Sequence, residues 1–231
     1  MDALILAGGL GTRLRSVVTD RAKSVALVDG RPFLSYVLAH LAQSGRIDRV
    51  VLCVGHRAQT VRECFGQHFE GMTVEYSEED APLGTGGALR KAIAASKPSR
   101  PFLAMNGDTV LKLRIDTFAD FHQAQRADLT LALSYVTDAV RFGTASLQGD
   151  RITGFVEKGG VRRGWINAGM YLFSPRAAGA LLAMPERFSL ESDFFSAHLE
   201  SLNCAGYRSR AAFLDIGVPE DYHRAAALLR G

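Results

Sequence analysis

The first half of the sequence alternates short apolar runs with segments of helical periodicity, and this alternation limits the possible folds more than any other feature. A strand followed by a helix and another strand implies right-handed crossovers between parallel strands, so an open sheet with helices on both faces is expected. The apolar runs predict strands at residues 3–6, 49–54, 72–76 and 102–105, and helical spacing predicts helices at residues 32–45, 59–69 and 85–97.

The second half carries antiparallel signals. Residues 144–147 and 152–156 flank Gln148-Gly149-Asp150, a run typical of a hairpin turn. The expected fold class is α/β, with an open, mixed but mostly parallel Rossmann-like sheet, helices on both faces and a small antiparallel part. Further strands are predicted at residues 129–136, 165–173 and 211–214, and further helices from Asp116 to Gln125, from Pro175, from Ser189 to Leu202 and from Pro219.

Composition excludes several classes of protein. The 231 residues contain 27 basic and 24 acidic side chains, a balance of +3 that is too small for a dedicated nucleic-acid binder. Three scattered cysteines do not form a disulfide framework, and Cys53 lies in an apolar run as buried filler. The sequence shows no targeting segment and no apolar run of membrane-spanning length, so we expect a cytoplasmic protein that does not associate with a membrane. We expect one domain, residues 1–231, with lobes at about 1–109 and 110–231.

A glycine-rich run follows the first predicted strand, where ligands bind in open α/β sheets. Glycine lets the backbone approach a phosphate closely, although the same residues also suit a tight turn. The run is not a dinucleotide-binding fingerprint, because position 14 is Leu14, and it lacks the lysine of a Walker A loop. Neighbouring Thr12 and Arg13 favour anion binding within the run Leu6-Ala7-Gly8-Gly9-Leu10-Gly11-Thr12-Arg13.

Two carboxylates follow other predicted strands. Asp108 ends the run Asn106-Gly107-Asp108, and Asp215 follows residues 211–214. Each also suits a turn, but together they could share a Mg²⁺ ion, which prefers oxygen ligands. Upstream of the helix at residues 85–97 lie Glu79 and a second glycine-rich run, Pro82-Leu83-Gly84-Thr85-Gly86-Gly87, which fits either a flexible loop or a close ligand approach.

In this order, the motifs resemble the sugar-1-phosphate nucleotidyltransferase family over nearly the whole chain. Each motif is weak alone, and six in sequence are specific. Beside the runs already given, of which the first continues through Lys23, they are Phe155-Val156-Glu157-Lys158, Ile166-Asn167-Ala168-Gly169-Met170-Tyr171 and Leu214-Asp215-Ile216-Gly217-Val218-Pro219-Glu220-Asp221-Tyr222.

The resemblance implies transfer of a nucleotidyl group from a nucleoside triphosphate to a sugar 1-phosphate, with Mg²⁺. Ser16 and the segment at residues 189–195 favour the guanylyltransferases that take GTP and a heptose 1-phosphate for bacterial surface polysaccharides. Mannose-1-phosphate guanylyltransferases and uridylyltransferases are alternatives within the family. A non-catalytic nucleotide-sugar-binding subunit is an alternative of another class, and homo-oligomerisation is possible.

The resemblance also implies the roles of single residues. Arg13, Lys23 and Asp108 are expected to be catalytic, and Asp108 and Asp215 to hold the metal. A carboxylate can accept two hydrogen bonds from guanine, so Glu79 is the candidate base reader. The other expected nucleotide-binding residues are Leu6, Ala7, Gly8, Gly9, Gly11, Thr12, Pro82, Gly84 and Thr85, and the expected sugar-phosphate-binding residues are Gly87, Asn106, Glu157, Lys158, Asn167 and Gly169.

Overall fold

The structure, a computed structural model, describes residues 1–9, 22–98, 101–140, 142–156 and 163–229. Its strands are β1 (Asp2–Leu6), β2 (Leu27–Val28), β3 (Arg31–Pro32), β4 (Arg49–Val54), β5 (His68–Phe69), β6 (Met72–Glu78), β7 (Phe102–Asn106), β8 (Thr109–Leu111), β9 (Leu129–Val136), β10 (Thr144–Gln148), β11 (Arg151–Val156), β12 (Gly164–Phe173), β13 (Cys204–Ser209) and β14 (Phe213–Asp215). Its helices are α1 (Phe33–Gln43), α2 (Ala58–Phe65), α3 (Gly84–Ser96), α4 (Ile115–Ala124), α5 (Pro175–Leu182), α6 (Ser196–His198) and α7 (Pro219–Leu229), with a 3₁₀ turn at Lys23–Val25 and a π-helical turn at Leu190–Phe195.

The parallel half of the central sheet has the predicted arrangement. Strands β7, β1, β4 and β6 lie side by side in that order and all run in the same direction. Leu6 of β1 lies opposite both Cys53 of β4 and Asn106 of β7. The carboxyl ends of these strands therefore meet along one edge.

The expectation of a mostly parallel sheet with a small antiparallel part is wrong. The ten strands follow the order β10-β11-β13-β9-β12-β7-β1-β4-β6-β5, and five of the nine pairings between neighbours in this order are antiparallel. The antiparallel strands continue the same sheet, because β12 pairs with both β7 and β9. Apolar runs such as β9 and β12 are buried in either orientation, so their residues do not reveal strand direction.

Helices cover both faces of the sheet, as predicted. Alternate residues of a strand point to opposite faces. In β1, Ala3 and Ile5 belong to a core cluster with residues of α1, α2, α4 and α7, whereas Leu4 belongs to a second cluster with residues of α3 and α5. The two cores account for the strongly apolar character of β1 and β4, which are buried from both sides.

Several predicted element boundaries need correction. The helix predicted over residues 59–69 ends at Phe65, because His68 and Phe69 form β5 and pair with Met72 and Thr73. Asp116 is not the cap of α4 but lies in its first turn, after the N-cap Arg114. Ser189 does cap the next helical segment through its side chain, but that segment is a π turn followed by α6 and ends at His198 instead of Leu202.

The prediction that Cys53 is buried filler is tested by its exposure. Cys53 is 1% exposed, and burial raises the pKa of its thiol to about 12, which confirms it as unreactive filler. Among the described residues, no helix is long and apolar enough to span a bilayer.

Candidate functional site

A cavity of about 540 Å³ lies at the edge where the parallel strands end. The segments that line it come directly after β1, β4 and β6 and at the end of β7. These segments approach closely: the amide of Ala7 donates to Cys53 O at 2.8 Å, and the amide of Gly107 donates to Leu6 O at 2.9 Å. Parallel pairing therefore gathers residues that are up to a hundred positions apart, as the rule for open α/β sheets predicts.

Lys23 and Asp108 form an ion pair in the cavity wall. Lys23 Nζ donates to Asp108 Oδ2 at 2.6 Å, and the two side chains are 14% and 34% exposed. Ala22, which precedes Lys23, has φ −64°, the value that a proline ring would fix. The backbone before Lys23 thus has proline-like geometry without proline. The pair places one positive and one negative group beside each other where a polyanion and a metal ion could both bind.

Glu79 is a half-buried carboxylate that follows β6. In the row of parallel strands β7-β1-β4-β6, it therefore lies at the other end from Asp108, which follows β7. Its Oε2 accepts a hydrogen bond from the amide of Leu83 at 2.9 Å, and its Oε1 lies close to the Gly8 backbone. Burial raises the pKa of Glu79, while the Leu83 hydrogen bond and Lys91 partly oppose that rise. A carboxylate held in this way still has lone pairs on both oxygens for a ligand.

Two glycines in the first turn of α3 pack against other parts of the chain. A Cβ at Gly86 would lie 2.1 Å from the Phe188 ring, and a Cβ at Gly87 would lie 2.3 Å from Glu186 O. The amides of Gly86 and Gly87 both donate to Phe188 O. These two glycines therefore permit close packing within the chain, whereas Gly84 and Thr85 line the cavity.

Asp215 lies next to the Asp108 segment through the two-stranded sheet β8–β14. Asp215 is paired with Thr109, and the amide of Ile216 donates to Asp108 O at 3.1 Å. The Asp215 Oδ1 atom accepts from the amide of Gly217 at 2.6 Å. No cluster of three or more potential metal-binding side chains occurs among the described residues, so these two carboxylates would leave further metal positions to water and substrate oxygens.

A β-bulge brings β12 onto the end of β7. The register of β12 with β9 shifts between Asn167 and Tyr171, and Gly169 there has φ +71°. A Cβ at Gly169 would lie 2.6 Å from Asn106 Nδ2, so this position requires glycine. Asn106 Oδ1 is buried and has no hydrogen-bond partner among the described residues.

Asn167 lies inside the same bulge. Its Oδ1 accepts from the amide of Gly169, and its Nδ2 donates to the hydroxyl of Tyr171, both at 2.9 Å. Tyr171 is fully buried, and that burial raises its pKa well above the ordinary value, so the hydroxyl stays protonated. As the structure stands, the Asn167 side chain therefore braces the bulge.

The structure brings most of the described candidate residues together. Gly87, Asn167, Gly169 and Asp215 do not line the cavity, and Gly11, Thr12, Arg13, Glu157 and Lys158 lie outside the described residues. The candidates that do line it are Leu6, Ala7, Gly8, Gly9, Lys23, Glu79, Pro82, Gly84, Thr85, Asn106 and Asp108.

Sequence reasoning missed part of the wall. Gly55 and His56 directly follow β4, and the same rule about strand ends would have found them. Ser24 follows Lys23, and its hydroxyl donates to Ala7 O at 3.3 Å, a contact that no local pattern reveals. Asp80, Ala81 and Ala88 complete the lining.

Comparison with known proteins identifies the family of the chain. The model of the family described as nucleotidyl transferase matches residues 2–230. A D-glycero-α-D-manno-heptose 1-phosphate guanylyltransferase of Aneurinibacillus thermoaerophilus is 38% identical over 97% of this chain and 96% of its own. A mannose-1-phosphate guanylyltransferase of Mycobacterium tuberculosis is 33% identical over 100% of this chain and 65% of its own.

A solved structure agrees with the sequence comparisons. HddC from Yersinia pseudotuberculosis, described as complexed with GMP-PN, superposes with a TM-score of 0.85 at 31% identity, covering 98% of each chain. The agreement extends over both the parallel and the antiparallel parts of the sheet, since almost the entire chain is covered. The chain belongs to the nucleotidyl transferase family.

Proposed function

We propose that the protein transfers GMP from GTP to D-glycero-α-D-manno-heptose 1-phosphate and releases pyrophosphate. The observation that carries this proposal is a Lys23–Asp108 ion pair in a cavity at the parallel strand ends. It occurs in a chain 38% identical, over nearly its full length, to an enzyme of that name. The product, a GDP-heptose, would serve the synthesis of a bacterial surface polysaccharide.

The reaction requires positioning more than acid–base catalysis. A phosphate oxygen of the sugar 1-phosphate attacks the α-phosphorus of GTP, and the bond from that phosphorus to the oxygen bridging the β-phosphorus breaks. The attacking phosphate has a second pKa near 6, so it is already ionised at neutral pH and needs no general base. The barrier lies in bringing two polyanions together, which aligned positive groups and backbone amides lower.

Lys23 is the described residue that we assign to this task. Its side chain is 14% exposed, and its ammonium group would contact the α-phosphate or the incoming sugar phosphate. Arg13 and the amides of residues 8–12 would hold the triphosphate and the leaving pyrophosphate, and Lys158 would bind the sugar phosphate. Those three assignments rest on the family resemblance.

Nucleotidyl transferases generally use a divalent metal ion. We propose Mg²⁺, held by Asp108 and Asp215. Asp108 directly precedes β8 and accepts a backbone hydrogen bond from Ile216, and Asp215 pairs with Thr109 in the β8–β14 sheet. Carboxylate oxygens suit Mg²⁺, which would supply a positive charge for the phosphate oxygens. Loss of turnover on chelation, with recovery on adding Mg²⁺ but not Ca²⁺, would support this choice.

The sugar is assigned to the second lobe, residues 110–231, together with the end of β7. Asn106 Oδ1 has no hydrogen-bond partner in the part of the chain that the structure describes, and a buried acceptor without a partner costs about 1–3 kcal/mol. A sugar hydroxyl that reaches it would remove this cost. Asn167, Gly169 and Glu157 would complete the sugar site, and the first lobe, residues 1–109, would hold the nucleotide.

A matrix of substrates tests the proposal. Pyrophosphate release would be measured with GTP, UTP, dTTP, CTP and ATP against heptose, mannose, glucose and N-acetylglucosamine 1-phosphates. Turnover confined to GTP with the heptose 1-phosphate is the expected result. Faster turnover with mannose 1-phosphate would favour the alternative raised by the 33% identical relative. If the protein binds a nucleotide sugar but no pair of substrates releases pyrophosphate, the protein is a regulatory binding subunit and not an enzyme.

A further inference from the structure

The segment at residues 186–195 is hydrogen-bonded to the start of α3, where Gly84 and Thr85 line the cavity. The amide of Phe188 donates to Leu83 O at 3.1 Å, and Phe188 O accepts from Gly86 at 3.0 Å and from Gly87 at 3.3 Å. A Cβ at Gly84, where φ is +76°, would lie 2.5 Å from Phe188 O. Residue 84 must therefore be glycine for the two backbones to approach this closely.

A side-chain network continues from this contact to Glu191. Thr85 Oγ1 donates to Glu191 Oε2 at 2.8 Å and accepts from the amide of Leu190 at 2.9 Å. Ser189 Oγ also donates to Glu191 Oε2, at 3.0 Å. Glu191 lies in the π-helical turn, a form of helix that often occurs at functional sites.

The network fixes the direction of the Thr85 hydroxyl. A hydroxyl has one proton and two lone pairs. Because a carboxylate oxygen can only accept, the proton of Thr85 points to Glu191, and one lone pair is used by Leu190. Thr85 lines the cavity, so the second lone pair of its hydroxyl is available to a ligand there.

We propose that Glu191 is a positioning residue that holds the Thr85 hydroxyl as a hydrogen-bond acceptor for an N–H or O–H group of the bound nucleotide. Thr85 lies in the first turn of α3, close to the N-cap Leu83, whose amide donates to Glu79, so both side chains act on the nucleotide side of the cavity. The donors on GTP are guanine N1–H, the guanine 2-amino group and the two ribose hydroxyls. Glu79 is assigned N1–H and one hydrogen of the 2-amino group, which leaves the second amino hydrogen and the two hydroxyls for Thr85. This inference rests on the proposed guanylyl transfer for the identity of the nucleotide.

The test compares GTP with three analogues that each lack one donor: ITP, 2′-deoxy-GTP and 3′-deoxy-GTP. Wild type should bind one of them about tenfold more weakly, the effect of one lost hydrogen bond. Thr85→Val and Glu191→Met should each raise the KM for GTP about tenfold, leave kcat near wild type and abolish that discrimination. Glu191→Gln and Thr85→Ser, which keep the acceptor oxygen and the hydroxyl, should restore it.

Two controls separate positioning from simple packing. The double variant Thr85→Val/Glu191→Met should bind GTP no worse than either single variant, because both remove the same interaction. Asp193→Ala removes the acceptor for the amide of Ser189 in the same segment without touching Thr85. It should lower the melting temperature and leave the nucleotide preferences unchanged.

Three results would overturn the proposal. They are unchanged discrimination in Thr85→Val, additive losses in the double variant, and a rise confined to the KM for the sugar phosphate. A wild-type preference for another triphosphate would refute the proposed function instead. The same variants would then be assayed with deoxy analogues of that triphosphate, so the two failures remain distinguishable.

Discussion

Glu79 is the residue on which base preference should depend. Guanine presents N1–H and the 2-amino group on one edge, a pair of donors that a carboxylate accepts and that uracil lacks. Glu79 is already tied to Leu83, which fixes the direction of its carboxylate. Its raised pKa means that it becomes protonated at a higher pH than an exposed glutamate. The preference for GTP should therefore weaken as the pH falls through that pKa.

Glu79→Gln should reduce the preference for GTP over UTP by about ten- to a hundredfold in kcat/KM, because the amide replaces one acceptor with a donor. Glu78→Gln is the matched control, since Glu78 is exposed and pairs with Arg62 at 2.9 Å outside the cavity. Steady-state kinetics with both triphosphates would measure the ratio. An unchanged ratio in Glu79→Gln would show that another group reads the base.

At this scale the sequence predicted residues at strand ends well and residues placed by side-chain contacts poorly. Lys23 could be named only from the family resemblance, because its pairing with Asp108 spans 85 positions. From the sequence, His56 is expected to be structural or solvated because it shows no ligand spacing, yet it follows β4 and lines the cavity.

At the scale of elements, the start of α3 shows how glycine can serve packing instead of ligand binding. Gly86 is in a helix, where glycine costs about 0.5–1 kcal/mol relative to alanine. That cost is tolerated because the Phe188 ring occupies the space of a side chain. Sequence alone could not separate this role from phosphate binding, since both need a bare backbone.

Gly86→Ala should destabilise the fold by about 1–3 kcal/mol, the usual cost of overpacking. Gly179→Ala, in the exposed part of α5 where a Cβ meets no atom within 4 Å, should instead stabilise it by about 0.5–1 kcal/mol. Urea denaturation of the two variants would measure both changes. Equal shifts of the same sign would contradict the packing account.

The β5–β6 hairpin that follows α2 illustrates what helical periodicity cannot detect. Glu70 and Gly71 have φ values of +43° and +85°, which turns the chain so that β5 pairs with β6. A glutamate at the first of these positions is unusual, since turns of this kind favour asparagine or aspartate. The apolar spacing therefore continued past the real helix end.

At the scale of the whole molecule, the ten-stranded sheet joins two halves built by different rules. Strand–helix alternation predicted the parallel half. The antiparallel half depends on β12, which carries the bulge at Gly169 and connects β7 with β9. Partner choice among buried strands depends on tertiary packing, and for this reason the strand order could not be read from the sequence.

The stability of the fold should fall in mild acid because of His122. This side chain is 6% exposed, hydrogen-bonds Thr130 at 2.7 Å, and has its pKa lowered from 6.5 by burial. The unfolded chain takes up a proton below pH 6.5 that the folded state resists, so stability is full above that pH and is lost as the pH falls. Denaturation midpoints from pH 8 to 5 should show a shallower decline in His122→Gln. Parallel curves would contradict this assignment.

The central claim is that nucleotidyl transfer takes place in the cavity at the ends of the parallel strands, beside the Lys23–Asp108 pair. Its most direct test is the rate of GDP-heptose formation by Lys23→Met, with the exposed Lys112→Met as the control. Removing one charge that stabilises the transition state should lower kcat by about a hundredfold or more, while the melting temperature stays near wild type. A rate within threefold of wild type in a folded Lys23→Met variant would contradict the account.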